Sequence, residues 1–121
     1  MAGPFRVHRA GNLAGMNSLA ISYRKALDAL GSDDRYAEVF ERGHLRAGIY
    51  APHELDDQGI HDEDEFYVVL NGSGFFAVGG EREPFGPGDL LFVAAGVEHR
   101  FEDFTPDFAT WAIFSAGPSG A

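Results

Sequence analysis

His61, Glu65 and His99 are the residues of this 121-residue chain whose types and spacing could do chemistry. Two imidazoles and a carboxylate form a donor set that suits iron, zinc, nickel or manganese. His61 and Glu65 stand four apart in a stretch that runs from Gln58 to Gly72. On one straight strand they would share a face but sit roughly 13 Å apart, too far to converge well on one ion. Asp62, Glu63 and Asp64 are poor strand formers. The chain is therefore expected to turn there, with His61 ending one strand and Glu65 beginning the next. A second stretch, Gly86 to Asp103, supplies His99. In it Gly88-Asp89 turns into an apolar strand, Ala95-Gly96 turns again, and His99 opens another strand.

The two stretches resemble the two motifs of the cupin family. The first motif, G-x5-H-x-H-x(3,4)-E-x6-G, is matched by His61, three residues, Glu65, six residues and Gly72. The second, G-x5-P-x-G-x2-H-x3-N, is matched by Gly88, five residues, Ala94, Ala95, Gly96, two residues, His99, three residues and Asp103. Gly59 stands where the motif has its first histidine, Ala94 where proline is usual and Asp103 where asparagine is usual. The likeness is strongest over about residues 44–115. It implies an all-β, double-stranded β-helix barrel with one divalent metal ion, iron, zinc, nickel or manganese, on His61, Glu65 and His99. Gln58, one residue before Gly59, could add its amide oxygen, a weak neutral ligand. Asp56-Asp57-Gln58 and Asp64-Glu65-Phe66-Tyr67 are similar to a subgroup of small bacterial cupins reading D-x-Q-x-x-H-x-x-D-E-x-Y.

The elements that must position these residues are mostly strands. Residues 18–30 hold the one good helix pattern, with Leu19, Tyr23, Ala26, Leu27 and Leu30 near helical spacing. Ser18 or Asn17 could cap it, and Gly31 stops it. Strands are expected at Tyr36–Arg42, His44–Ala51, Glu65–Leu70, Phe75–Val78, Leu90–Val93, Glu98–Phe104 and Phe108–Ser115. Gly43 separates the first two, and Asn71-Gly72-Ser73-Gly74 is the strongest turn signal. The expected layout is an arm and helix over 1–35, a barrel over 36–116 and a disordered tail over 117–121.

Strand alternation places the neighbours of the ligands. If Glu65 points inward, so do Tyr67 and Val69; if His99 does, so do Phe101 and Asp103. Tyr67, Phe101, Asp103 and Arg46 are thus the pocket candidates, Tyr67 foremost because a buried hydroxyl needs a partner. Phe66, Val68 and Leu70 then face outward, toward the helix, the arm or a second subunit. The last strand is apolar on both sides, which implies burial of both and a homodimer. His44 and His53 read as surface residues, and His8 sits in the arm.

Composition narrows the classes. Hydrophobic residues make up 45%, so the chain is not disordered. Cysteine is absent, which removes disulfides and thiolate ligands. The net charge of −10 disfavours nucleic acid and anionic membranes. Part of it lies in residues 54–65, either as a solvated loop or as a rim that concentrates cations. No apolar run is long enough to span a membrane, no signal-peptide core precedes Arg6, and a cytoplasmic location is expected. The leading expectation is a metal-dependent enzyme on a small organic molecule. A dioxygenase is the simplest form, and an isomerase or lyase follows if the ion is zinc or nickel. The alternatives are a non-catalytic small-ligand binding or sensing barrel, and a barrel whose site has eroded at Gly59. No helix-turn-helix pattern accompanies the barrel, so self-contained DNA regulation is not expected.

Overall fold

A computed structural model describes residues 17–31, 35–54, 56 and 60–116. The expected arm over 1–16, Gln58 and the tail over 117–121 lie outside the described residues. Eight strands follow a short helix, α1 (Tyr23–Asp28). They are β1 (Tyr36–Arg42), β2 (Leu45–Tyr50), β3 (Asp64–Asn71), β4 (Gly74–Val78), β5 (Glu81–Phe85), β6 (Leu90–Val93), β7 (His99–Glu102) and β8 (Ala109–Ser115). They form a five-stranded sheet ordered β1-β2-β8-β3-β6 and a three-stranded sheet ordered β5-β4-β7. Every pairing is antiparallel, giving the jelly-roll barrel expected. Among the described residues no helix is long and apolar enough to cross a membrane.

The space between the sheets is filled largely by aromatic rings. Phe101 sits at its centre, 1% exposed, against Tyr50, Tyr67, Phe76, Phe85 and Phe108. Each such ring buries roughly 150–250 Å², which lets a short chain close a stable core. Phe101 thus packs the core. A second cluster lies on the outer face of the large sheet, where Ala26 of α1 packs with Ala37, Val39, Ile49 and Ala109. This explains why β8 is apolar on both sides: one face looks into the barrel, and α1 covers part of the other.

Several elements depart from expectation. The helix holds six residues, because Ser22, rather than Ser18 or Asn17, accepts the Lys25 amide and starts it. β5 has no counterpart in the expected set. Its residues Glu81 to Pro84 are exposed, and it is an edge strand, where proline is tolerated. Asn71–Gly74 does turn the chain, yet the strands it joins do not pair. β3 neighbours β8 and β6, whereas β4 neighbours β5 and β7, so the turn crosses between sheets. It is clasped by the 104–108 segment: the Thr105 amide donates to the Ser73 carbonyl at 2.9 Å, and the Ser73 amide donates to Thr105 Oγ1 at 3.1 Å.

Gly72 makes that crossing possible. Its φ is +83°, and a Cβ there would lie 2.6 Å from the Phe108 Cα. Gly43, in the β1–β2 hairpin, has φ +60° but nothing within 4 Å of a Cβ. Left-handed backbone costs a non-glycine residue roughly 1–2 kcal/mol, and overpacking adds roughly 1–3 kcal/mol. Gly43→Ala should thus lose only the first amount and Gly72→Ala both, as read from urea unfolding midpoints at unchanged slope.

Candidate metal centre

Three elements bring the candidate ligands together. Glu65 is the second residue of β3 in the large sheet, and His99 is the first of β7 in the small one. His61 precedes β3, and the chain bends at Asp62 and Glu63. The turn is therefore present where poor strand formers placed it, though His61 itself lies outside any strand. One ligand atom from each of the three residues falls within 4.8 Å of the others. His61 Nε2 is 3.7 Å from Glu65 Oε2, and His99 Nε2 is 3.4 Å from Glu65 Oε1. The side chains of Glu65 and His99 are each 1% exposed, and that of His61 is 18% exposed.

The two Glu65 separations fit an ion. Donors each bound at about 2.1 Å lie roughly 3–4 Å apart on a shared centre. The chemistry fits as well, since nitrogen and carboxylate donors accept first-row divalent metals. His99 Nδ1 lies 3.1 Å from the Val97 carbonyl, to which it donates as the Nδ1–H tautomer, turning Nε2 toward Glu65. A second hydrogen bond of this kind is how metal-binding imidazoles are oriented. Burial lowers the His99 pKa, but the hydrogen bond and charge of Glu65 outweigh it and leave the imidazole above its ordinary value.

The two loops bearing the histidines are tied to each other. The Gly96 amide donates to the His61 carbonyl at 2.8 Å, and the Ala95 amide donates to Asp64 Oδ1 at 2.9 Å. Gly96 takes φ +81°, which presents its amide in this turn. Arg46 ties the His61 loop to the barrel wall. Its Nη2 and Nε meet the two Glu63 oxygens at 2.5 and 3.0 Å, and its Nη1 meets Glu38 at 2.6 Å. The guanidinium also lies 4.5 Å from the centre of the Phe114 ring, which in turn sits 5.8 Å from the His61 ring. Burial disfavours the Arg46 charge, but the bonds to Glu63 and Glu38 more than offset it.

The pocket candidates divide. Tyr67 is fully buried, and its hydroxyl donates to Glu65 Oε1 and lies 3.2 Å from His99 Nε2. Asp103 does not follow His99 inward. β7 ends at Glu102, and Asp103 takes φ +50°, so the alternation breaks before it. Its side chain is 75% exposed and pairs with Arg82 at 2.5 Å. His44 and His53 are exposed.

Asp56 is the residue that sequence reasoning missed. Within the acidic 54–57 run it is buried, not solvated. Tyr50 donates its hydroxyl to Asp56 Oδ1 at 2.5 Å, and the Phe101 amide donates to Oδ2 at 2.7 Å. The carboxylate latches the loop before His61 onto β7. The subgroup pattern D-x-Q sets Asp56 at its aspartate position, but only the tertiary contact shows what the side chain does.

Asp56→Ala removes the acceptor of both groups, and hydrogen bonds to a charged group contribute roughly 1.5–3 kcal/mol each. The variant should lose about 3 kcal/mol or more of stability, and amide exchange at Phe101 should quicken selectively.

Comparison with known proteins places this geometry. A family described as the cupin domain matches residues 48–107. The chain is 30% identical over 86 residues to an uncharacterized protein of Streptomyces coelicolor, across 69% of this chain and 82% of that one. It is 37% identical over 65 residues to an acireductone dioxygenase of Leishmania infantum, across 49% of this chain and only 19% of that enzyme. Among solved structures, a cupin 2 conserved barrel domain protein from Salinispora arenicola is similar with a TM-score of 0.64 at 17% identity, covering 84% of this chain and 92% of that one.

Proposed function

The chain belongs to the cupin family, and from that premise we propose that it is a metal-dependent enzyme acting on a small organic molecule. His61, Glu65 and His99 hold one divalent ion, and Gln58, outside the described residues, is a further oxygen donor. The observation that carries this reading is the convergence of three ligand atoms, from two sheets and the bend before β3, within 4.8 Å, two of them on fully buried side chains. The likeness over 65 residues to an acireductone dioxygenase supports a dioxygenase-type reaction as its first form. Which metal is present decides between that and an isomerase or lyase.

When bound, the ion supplies Lewis acidity or redox reactivity toward dioxygen. The chain's own residues prepare the place. Glu65 contributes the negative charge that draws a cation inward. The Val97 carbonyl keeps the His99 ring turned toward Glu65. Phe114 and Phe76 pack at a tilt beside His61 and His99, and an apolar surround of this kind strengthens electrostatic contacts. Arg46 and Glu63 hold the His61 loop in place while substrate enters.

Metal content measured by mass spectrometry on untagged protein tests this. Wild type should carry about one ion per chain and His99→Ala almost none, because ligand loss removes most of the binding free energy. The metal found then directs the assay; with iron, oxygen uptake should vanish in His61→Ala and His99→Ala while both still fold. Absence of metal after anaerobic reconstitution with iron would overturn the enzyme reading in favour of a ligand-binding barrel.

A homodimer accompanies this proposal. Phe66, Leu90 and Phe92 are 40%, 65% and 49% exposed on the outer face of β3 and β6, beyond the cover of α1. The Phe66 and Phe92 rings lie 5.0 Å apart in one apolar patch. Light scattering should give twice the chain mass for wild type and the chain mass for a Phe66→Asp, Phe92→Asp double variant.

A further inference from the structure

Tyr67 stands among the candidate ligands but is not one of the three. Its hydroxyl oxygen lies within hydrogen-bond distance of both Glu65 Oε1 and His99 Nε2. Those are two of the atoms that would face the ion. The position is built, not incidental. Glu65 and Tyr67 alternate onto the same inward face of β3, and the Tyr67 ring is 0% exposed. Phe101 meets that ring edge-on at 4.9 Å and Phe76 at 5.9 Å, so the hydroxyl has little freedom to swing away.

The hydroxyl thus meets a carboxylate oxygen and an imidazole nitrogen at one point. A single cation would satisfy the phenolic oxygen, the carboxylate and the imidazole together. Gly59, at the motif position of the first histidine, brings no side-chain donor.

We propose that Tyr67 is a fourth protein ligand of the metal centre, binding through its phenolate oxygen. This rests on the site reading above. On binding, the Tyr67 O–H bond breaks, the oxygen–metal bond forms and the proton leaves to solvent. Among the metals considered, iron suits imidazole and oxygen donors, and the ferric form reached by oxidation in air is the harder partner for a phenolate.

Ferric iron makes the test direct, because a phenolate bound to it gives a visible charge-transfer band. Wild-type protein is loaded with iron under anaerobic conditions, its metal content is measured, and it is oxidised in air. A coloured protein is expected, with tyrosinate ring modes enhanced in resonance Raman spectra excited within the band. The chain has four tyrosines, so the band must be assigned. Tyr67→Phe should lose the colour while retaining iron, and Tyr23→Phe, altered on the remote helix, should keep it. Iron bound at about one per chain but colourless in wild type would overturn the phenolate ligand and leave the three-residue centre standing. A coloured Tyr67→Phe would overturn it too. No iron bound by wild type would sink the centre and this proposal together. If Tyr67→Phe fails to fold, a Tyr23→Phe, Tyr36→Phe, Tyr50→Phe triple variant, with Tyr67 as its one tyrosine, decides: tyrosinate ring modes in its iron-loaded form support the assignment, and a colourless iron-loaded form overturns it.

Discussion

A carboxylate placed inside an aromatic barrel must be partnered, and Glu65 imposes that condition on everything around it. Its side chain is 1% exposed. An unpartnered ionised group there would cost several kcal/mol. His99 from the opposite sheet, Tyr67 from the same strand and His61 from the preceding bend all reach it. Each arrives by a different structural route. Strand alternation brings Tyr67, the small sheet brings His99, and the bend at Asp62–Glu63 brings His61. The site thus depends on two sheets meeting in register, and the aromatic core that joins them is also the wall of the site.

Charge balance extends from that centre to the mouth of the barrel. A second buried carboxylate, Glu38, sits 2% exposed, and Arg46 reaches both it and Glu63. Arg46 is thereby a bridge between the barrel wall and the loop that carries His61. Asp56 plays the matching part on the other side, tying the preceding loop to β7. An acidic chain can hold this many carboxylates near one point because backbone amides, hydroxyls and one guanidinium share the burden.

What the sequence disclosed depended on how local the signal was. β1 and β6 have the bounds that strand-forming residues and the flanking turns at Gly43 and Gly88-Asp89 set. The bend between His61 and Glu65 followed from three acidic residues in a row. The cupin motifs carried the barrel and the candidate ligands. Signals that required a tertiary partner stayed hidden. β5 is polar and holds Pro84, so only its pairing with β4 reveals it as a strand. Asn71–Gly74 has the composition of a hairpin turn, and only the clasp with Thr105 shows that it crosses between sheets. Asp103 fell on the inward phase of β7, yet the strand had already ended. Asp56 lies in an acidic run, and only burial tells it from an ordinary surface charge.

The strand order has a kinetic side. β8, the last strand in sequence, is inserted at the centre of the large sheet, between β2 and β3. Leu45 pairs with Ser115, so that register closes across most of the chain. During synthesis β2 and β3 must wait, edges open, until β8 leaves the ribosome. Long-range pairings of this kind fold slowly, and open edges are sites of wrong association. The high negative charge then serves the nascent chain as much as the finished one. Mutual repulsion keeps half-made barrels apart until the strand that seals the sheet arrives.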